Sequence, residues 1–104
     1  MKIYQAGPDK PDLYEYEMCQ EAYQWLVHWY EDGGYDGSGQ AVALHQDGTV
    51  YVKNLDHCSC YGPFDSWETS CQKITVEELL RDKDSIHDIE IRDEIMTEVR
   101  KLLG

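Results

Sequence analysis

The segment Leu55–Trp67, LDHCSCYGPFDSW, holds one histidine, two cysteines, three aromatics and two aspartates. Residues of these types at this spacing suit two kinds of chemistry. The first is metal binding. His57, Cys58 and Cys60 fall within four positions, and Cys71 follows eleven positions later. Neutral imidazole and thiolates are the ligands of a tetrahedral zinc site, so these four residues define a candidate Cys3His centre and zinc is the candidate cofactor. The spacing departs from the paired Cys-x-x-Cys knuckles that mark such sites strongly. The competing reading is that Cys58, Cys60 and Cys71 are small thiols packed beside Tyr61, Phe64 and Trp67.

The second chemistry is nucleophilic catalysis, with Cys58 or Cys60 as nucleophile and His57 or His45 as base. A reactive thiolate needs an electropositive surrounding. Asp56 and Asp65 flank the segment instead, in a chain of net charge −12. Like charge opposes thiolate formation. No Gly-x-Ser-x-Gly elbow, His-Glu-x-x-His pair or phosphate-loop lysine is present. The expectation is therefore a protein that is not an enzyme.

A second unusual segment, Gly33–Gly39 (GGYDGSG), has four glycines in seven residues. Backbone N–H groups of such a loop can hold an anion. Here no lysine follows closely, and Asp36 would repel a phosphate. The acids do not alternate as a calcium loop requires. The segment reads as a turn leading into a hairpin.

What the two segments share is aromatic side chains interleaved with acids. Tyr30, Tyr35, Tyr61, Phe64 and Trp67 stand among Glu31, Asp32, Asp36 and Asp65. Aromatics supply most interface energy, and charge supplies association rate. Tyr35, Asp36, Ser38, Tyr61, Phe64, Asp65 and Trp67 accordingly form a candidate binding set. The bland alternative is that these aromatics fill the core, because the chain has a single Phe but eight Tyr and three Trp.

The elements that must position these residues are short. Met1–Ala6 reads as a strand ended by the turn cluster Gly7-Pro8-Asp9-Lys10-Pro11. From Leu13 to Glu31 two periods compete. Met18, Cys19, Ala22, Trp25, Leu26 and Trp29 fall on one helical stripe, whereas Tyr23, Trp25, Val27 and Trp29 alternate as in a strand. Helix formers in the first half favour a helix from Leu13, with an extended second half as the alternative. Residues 40–54 read as a β-hairpin turning at Asp47-Gly48, with a two-residue loop that pairs His45 with Val50 and Leu44 with Tyr51. Leu55–Lys73 shows no period and is expected to be loop. Thr75-Val-Glu-Glu78 is a capping box opening a short helix to about Lys83. Ser85–Leu103 reads as a C-terminal helix with the apolar stripe Ile91, Ile95, Val99 and Leu102. The fold class is α+β: one domain spanning 1–104, with a small antiparallel sheet of about three strands packed against helices.

Charge narrows the partners. There are 21 acids against 9 bases, and no run of Lys or Arg stands ready to neutralise phosphates. Direct binding of nucleic acid and of anionic membranes is disfavoured on that ground. A basic protein remains allowed, and its approach would be steered electrostatically. Met1-Lys-Ile-Tyr opens into polar sequence without a leader-like apolar run, so a cytoplasmic location with reduced cysteines is expected. The first apolar stripe packs either within one chain or between two, which leaves a homodimer open.

YDGSGQAVAL followed at close range by HCSCYGP resembles small proteins encoded by phages and prophages, over about residues 35–63. The resemblance implies a compact acidic phage product and, at the level of that class, an inhibitor that docks on a basic host protein engaged in defence or nucleic-acid handling. It carries no activity or ligand set.

Overall fold

The computed structural model describes residues 1–10, 20–34, 36–56, 67–81 and 89–104. Its centre is a five-stranded sheet in sequence order β1-β2-β3-β4-β5. The strands are β1 (Lys2–Gln5), β2 (Tyr23–Asp32), β3 (Gly37–His45), β4 (Val50–Asn54) and β5 (Gln72–Ile74). β1 runs parallel to β2, and the other pairs are antiparallel. A 3-10 turn, Gln20–Ala22, leads into β2, and helices α1 (Trp67–Ser70), α2 (Val76–Arg81) and α3 (Ile89–Leu103) complete the described elements. The fold is α+β. The sheet is mixed, not wholly antiparallel as expected, because β1 lies parallel to β2. It exceeds the expected three strands by an edge strand at β5 and by extended structure over residues 23–32.

β2 explains why two periods compete in its sequence. It is central and buried on both faces, so apolar residues run on without a clean alternation. Trp25 and Val27 face a cluster completed by Val42, Leu44, Val50, Val52 and the Ile95, Met96 and Val99 side chains of α3. Leu26 and Tyr30 face a second cluster with Tyr23, Ala41, Ala43, Leu55 and Trp67. A register shift between Tyr23 and Trp25 leaves Gln24 as the extra residue of a bulge. The bulge explains why Tyr23 and Trp25, two positions apart, belong to different clusters. The Leu13 start expected for a helix lies outside the described residues, and the half from Tyr23 onward is strand.

The β3–β4 hairpin forms at Asp47-Gly48, one residue out of the expected register. Leu44 pairs with Val50 and Ala43 with Tyr51. The turn closes with Gly48 N–H donating to the His45 carbonyl at 3.0 Å and His45 N–H donating to the Thr49 carbonyl at 2.8 Å. Gly48 adopts φ 93°, the left-handed conformation that glycine accepts without strain. A one-residue slip exchanges the faces of a strand. Here it sends Val50 and Val52 to the helix-covered cluster, beside Val42 and Leu44. Burial of four branched aliphatics together selects this register over the two-residue turn.

α2 begins as its sequence predicts. The Thr75 hydroxyl accepts the Glu78 N–H at 3.0 Å, and the Glu78 carboxylate accepts the Thr75 N–H at 3.3 Å. α3 lays Ile95, Met96 and Val99 on the sheet, with Ile91 and Leu102 packed at the margin. The Trp29 indole N–H, projecting from β2, donates to the Glu94 carboxylate of α3. Residues 85–88, expected to open this helix, lie outside the described set.

Candidate functional site

The β2–β3 turn and the chain beside it gather carboxylates at one end of the sheet. β2 ends in Glu31 and Asp32, and β3 starts at Gly37, directly across from Asp32. The turn is a tight one. Gly33 N–H donates to the Asp36 carbonyl at 2.8 Å, and Gly34 N–H donates to an Asp32 carboxylate oxygen at 2.9 Å. The chain following β1 stays alongside β2, with Asp9 N–H bonded to the Tyr30 carbonyl at 3.0 Å. The Asp9 carboxylate accepts the Asp32 N–H at 2.8 Å. From the β3–β4 side Asp56 reaches the Gly39 N–H at 3.2 Å.

Five acids thereby stand around one sheet end: Asp9, Glu31, Asp32, Asp36 and Asp56. Asp9, Asp32 and Asp56 accept backbone N–H bonds there. Glu31 and Asp36 are exposed and line a shallow concavity of about 260 Å³ together with Ser38. The ion pairs formed among the described residues lie elsewhere, at His45–Asp47 and Glu98–Lys101. The convergence is felt by Tyr30. Burial, followed by Asp32, Asp9 and Asp36, pushes its hydroxyl above the ordinary tyrosine range.

Close backbone approach makes this end rigid. A Cβ built on Gly39 would meet the Trp29 carbonyl oxygen at 1.9 Å, so only glycine fits where β3 crosses β2. Gly7 is similarly confined, its added Cβ lying 2.7 Å from the Tyr30 nitrogen. The Gly33–Gly39 segment is therefore half turn and half strand, and two of its glycines belong to β3.

The candidate residues divide as follows. Asp36 and Ser38 are exposed on the acidic end. Trp67, expected at a contact surface, is a correction: it is fully buried and its indole N–H donates to the Tyr23 hydroxyl at 2.9 Å. Tyr30, grouped with it, is buried as well. With a single Phe in the chain, Tyr and Trp are the large aromatics that fill the second cluster. Tyr35, Tyr61, Phe64 and Asp65 lie outside the described residues, as do His57, Cys58 and Cys60. Cys71 is half-buried, closes α1 by donating its N–H to the Trp67 carbonyl at 3.1 Å, and packs against the second cluster. Among the described residues no group of three or more His, Cys, Asp or Glu side chains is placed to hold a metal ion.

Sequence reasoning missed a row of rings across the other end of the same face. Tyr23 meets His45 edge-on at 5.1 Å and Tyr51 at 5.2 Å, while His45 and Tyr51 stack at 5.6 Å. The Lys73 ammonium lies 5.4 Å above Tyr51. Asp47, at the turn beside His45, is held below the usual carboxylate range, first by the Thr49 N–H that it accepts at 2.8 Å. The row depends on the shifted hairpin register, which no local pattern announces. Its contacts are those of cross-strand packing.

No protein-family model, curated protein or solved structure matches the chain. No helix among the described residues is long and apolar enough to cross a membrane. Site chemistry must carry the functional reading unaided.

Proposed function

We propose that this chain is a small acidic binding protein whose sheet end at Asp9, Glu31, Asp32, Asp36 and Asp56 docks on a basic protein. The observation that carries the reading is the fixed cluster of carboxylates at a backbone-locked turn, in a chain of net charge −12. Clustered anionic charge raises the association rate with a cationic surface, and rigidity lowers the entropy lost on docking. The action is steric and electrostatic occupation, with no bond made or broken. An inhibitor covering a basic groove of a host protein is the form of this action that the phage resemblance implies.

The test compares affinity capture by the native chain and by Glu31→Gln/Asp36→Asn at about 0.15 M and at about 1 M salt. These two acids are exposed and their carboxylates make no backbone bond among the described residues, so the variant keeps the turn. The proposal expects a specific basic protein retained by the native chain, released by salt and lost with the variant. Retention indifferent to both changes removes the electrostatic mechanism.

A further inference from the structure

β1 forms one edge of the sheet, and among the described residues no strand lies beyond it. A single bond shows which backbone groups face outward. Ala6 N–H donates to the His28 carbonyl at 2.8 Å, in step with the β1–β2 ladder. Successive residues of a parallel strand bond to its two sides alternately, so Lys2 and Tyr4 turn their backbone groups toward β2 as Ala6 does. Ile3 and Gln5 turn theirs away. Each presents an N–H and a C=O to the open edge, which is a template for a further strand.

The devices that blunt an edge are sparse here. The opposite edge, β5, is protected by being three residues long. β1 has four residues, with no proline and no register shift against β2. Ile3 lies beside Leu26 on the side of the second cluster and is 42% exposed. Lys2, beside Trp25 on the side of α3, is the one charged residue of the strand.

Charge and side-chain order identify the partner. Residues 1–8 hold no carboxylate, although the chain has 21, so two copies can meet along β1 without setting acid against acid. An antiparallel pairing about a two-fold axis at Ile3 brings outward groups to outward groups. Ile3 exchanges both backbone bonds with the partner's Ile3, and Gln5 N–H donates to the partner's Met1 carbonyl. The side chains match as well. Ile3 covers the partner's Ile3, and Lys2 stands across from the partner's Tyr4, whose ring accepts a cation. Moving the axis to Lys2 opposes two ammonium groups, and moving it to Tyr4 sets Ile3 against Gln5. We infer that β1 pairs antiparallel with β1 of a second copy, centred on Ile3, and joins two five-stranded sheets into one. The contact is self-complementary, so it closes at two copies. It does not rest on the acidic sheet end.

The test is sedimentation equilibrium of the full chain from about 1 μM to about 1 mM. The native chain is expected to pass from 12.1 kDa toward twice that mass as concentration rises. Ile3→Pro removes an outward N–H and spares the inward bonds of Lys2 and Tyr4, so it should weaken self-association about tenfold or more with an unchanged circular dichroism spectrum. Ile3→Lys and Ile3→Glu should each weaken it as much, through repulsion across the axis. An equimolar mixture of these two should associate again, because a pairing centred on Ile3 sets the new charges opposite each other. If Ile3→Pro fails to fold, the two charged variants decide the matter, since they keep every backbone bond. A native chain that stays at 12.1 kDa throughout leaves the edge to a strand of another protein and overturns the inference. It is equally overturned if the charged variants associate as well as native, or if their mixture stays monomeric.

Discussion

His28 sits in the centre of β2, flanked across the strands by Gln5 and Ala41, and is 2% exposed. Its Nδ1 is buried without a hydrogen-bond partner among the described residues. Burial, with Lys10 adding to it, lowers its pKa from 6.5 to about 4. The unfolded chain therefore binds the proton that the folded chain refuses between these two values. Stability is full above pH 6.5 and falls as pH drops toward 4, by about 1.4 kcal/mol per pH unit. Between pH 6.5 and 5, above most carboxylate titration, the native chain should lose about 2 kcal/mol in urea unfolding. His28→Leu removes both the titration and the unpartnered nitrogen, so its stability should stay nearly flat across that interval. Equal losses in the two proteins would show that His28 is not the group responsible. Trp67 gives the matching prediction for the second cluster. Trp67→Ala should cost about 3–5 kcal/mol, which an exposed binding residue would not.

At the level of elements, the fold is held by places where only one geometry fits. Gly39→Ala forces a methyl group against the Trp29 carbonyl. It should destabilise the chain by about 3 kcal/mol or more, measured by thermal or urea unfolding. Loss below about 0.5 kcal/mol would mean that β2 and β3 separate easily at this crossing. Thr75→Ala removes one half of the capping box and should cost about 1 kcal/mol. The capping box was legible because it is a local pattern whose groups bond one another. The C-terminal helix was legible too, since α3 rests one apolar stripe on the sheet. β2 was ambiguous because cover on both faces erases alternation, and β5, three residues long, is too short to show a period. The hairpin register depended on where Val50 and Val52 find aliphatic neighbours, a tertiary choice that a turn dipeptide does not encode. The acidic end was half legible. Asp36 and Ser38 stood out beside the glycines, whereas Asp9 and Asp56 are brought there by β1 and β4, from distant parts of the sequence.

Across the whole molecule the charge is uneven in a useful way. The sheet end carries carboxylates on a locked turn, and the arginines gather between α2 and α3. The acidic sheet end lies on a scaffold whose two apolar clusters share strands β2 and β3. At about 0.15 M salt charges are screened beyond about 8 Å, so only carboxylates held close together act jointly on a docked cation. At the sheet end Asp9, Asp32 and Asp56 are held by backbone N–H bonds, and Asp9, Asp32 and Asp36 act together on Tyr30. The most direct test is an amide NMR titration of the uniformly labelled chain with a short Lys/Arg-rich peptide at about 0.15 M salt. The account predicts saturable shifts concentrated at Asp9, Glu31–Gly34 and Asp36–Gly39, and their loss in Glu31→Gln/Asp36→Asn. Shifts spread evenly over all acidic positions, or unchanged in that variant, would contradict it.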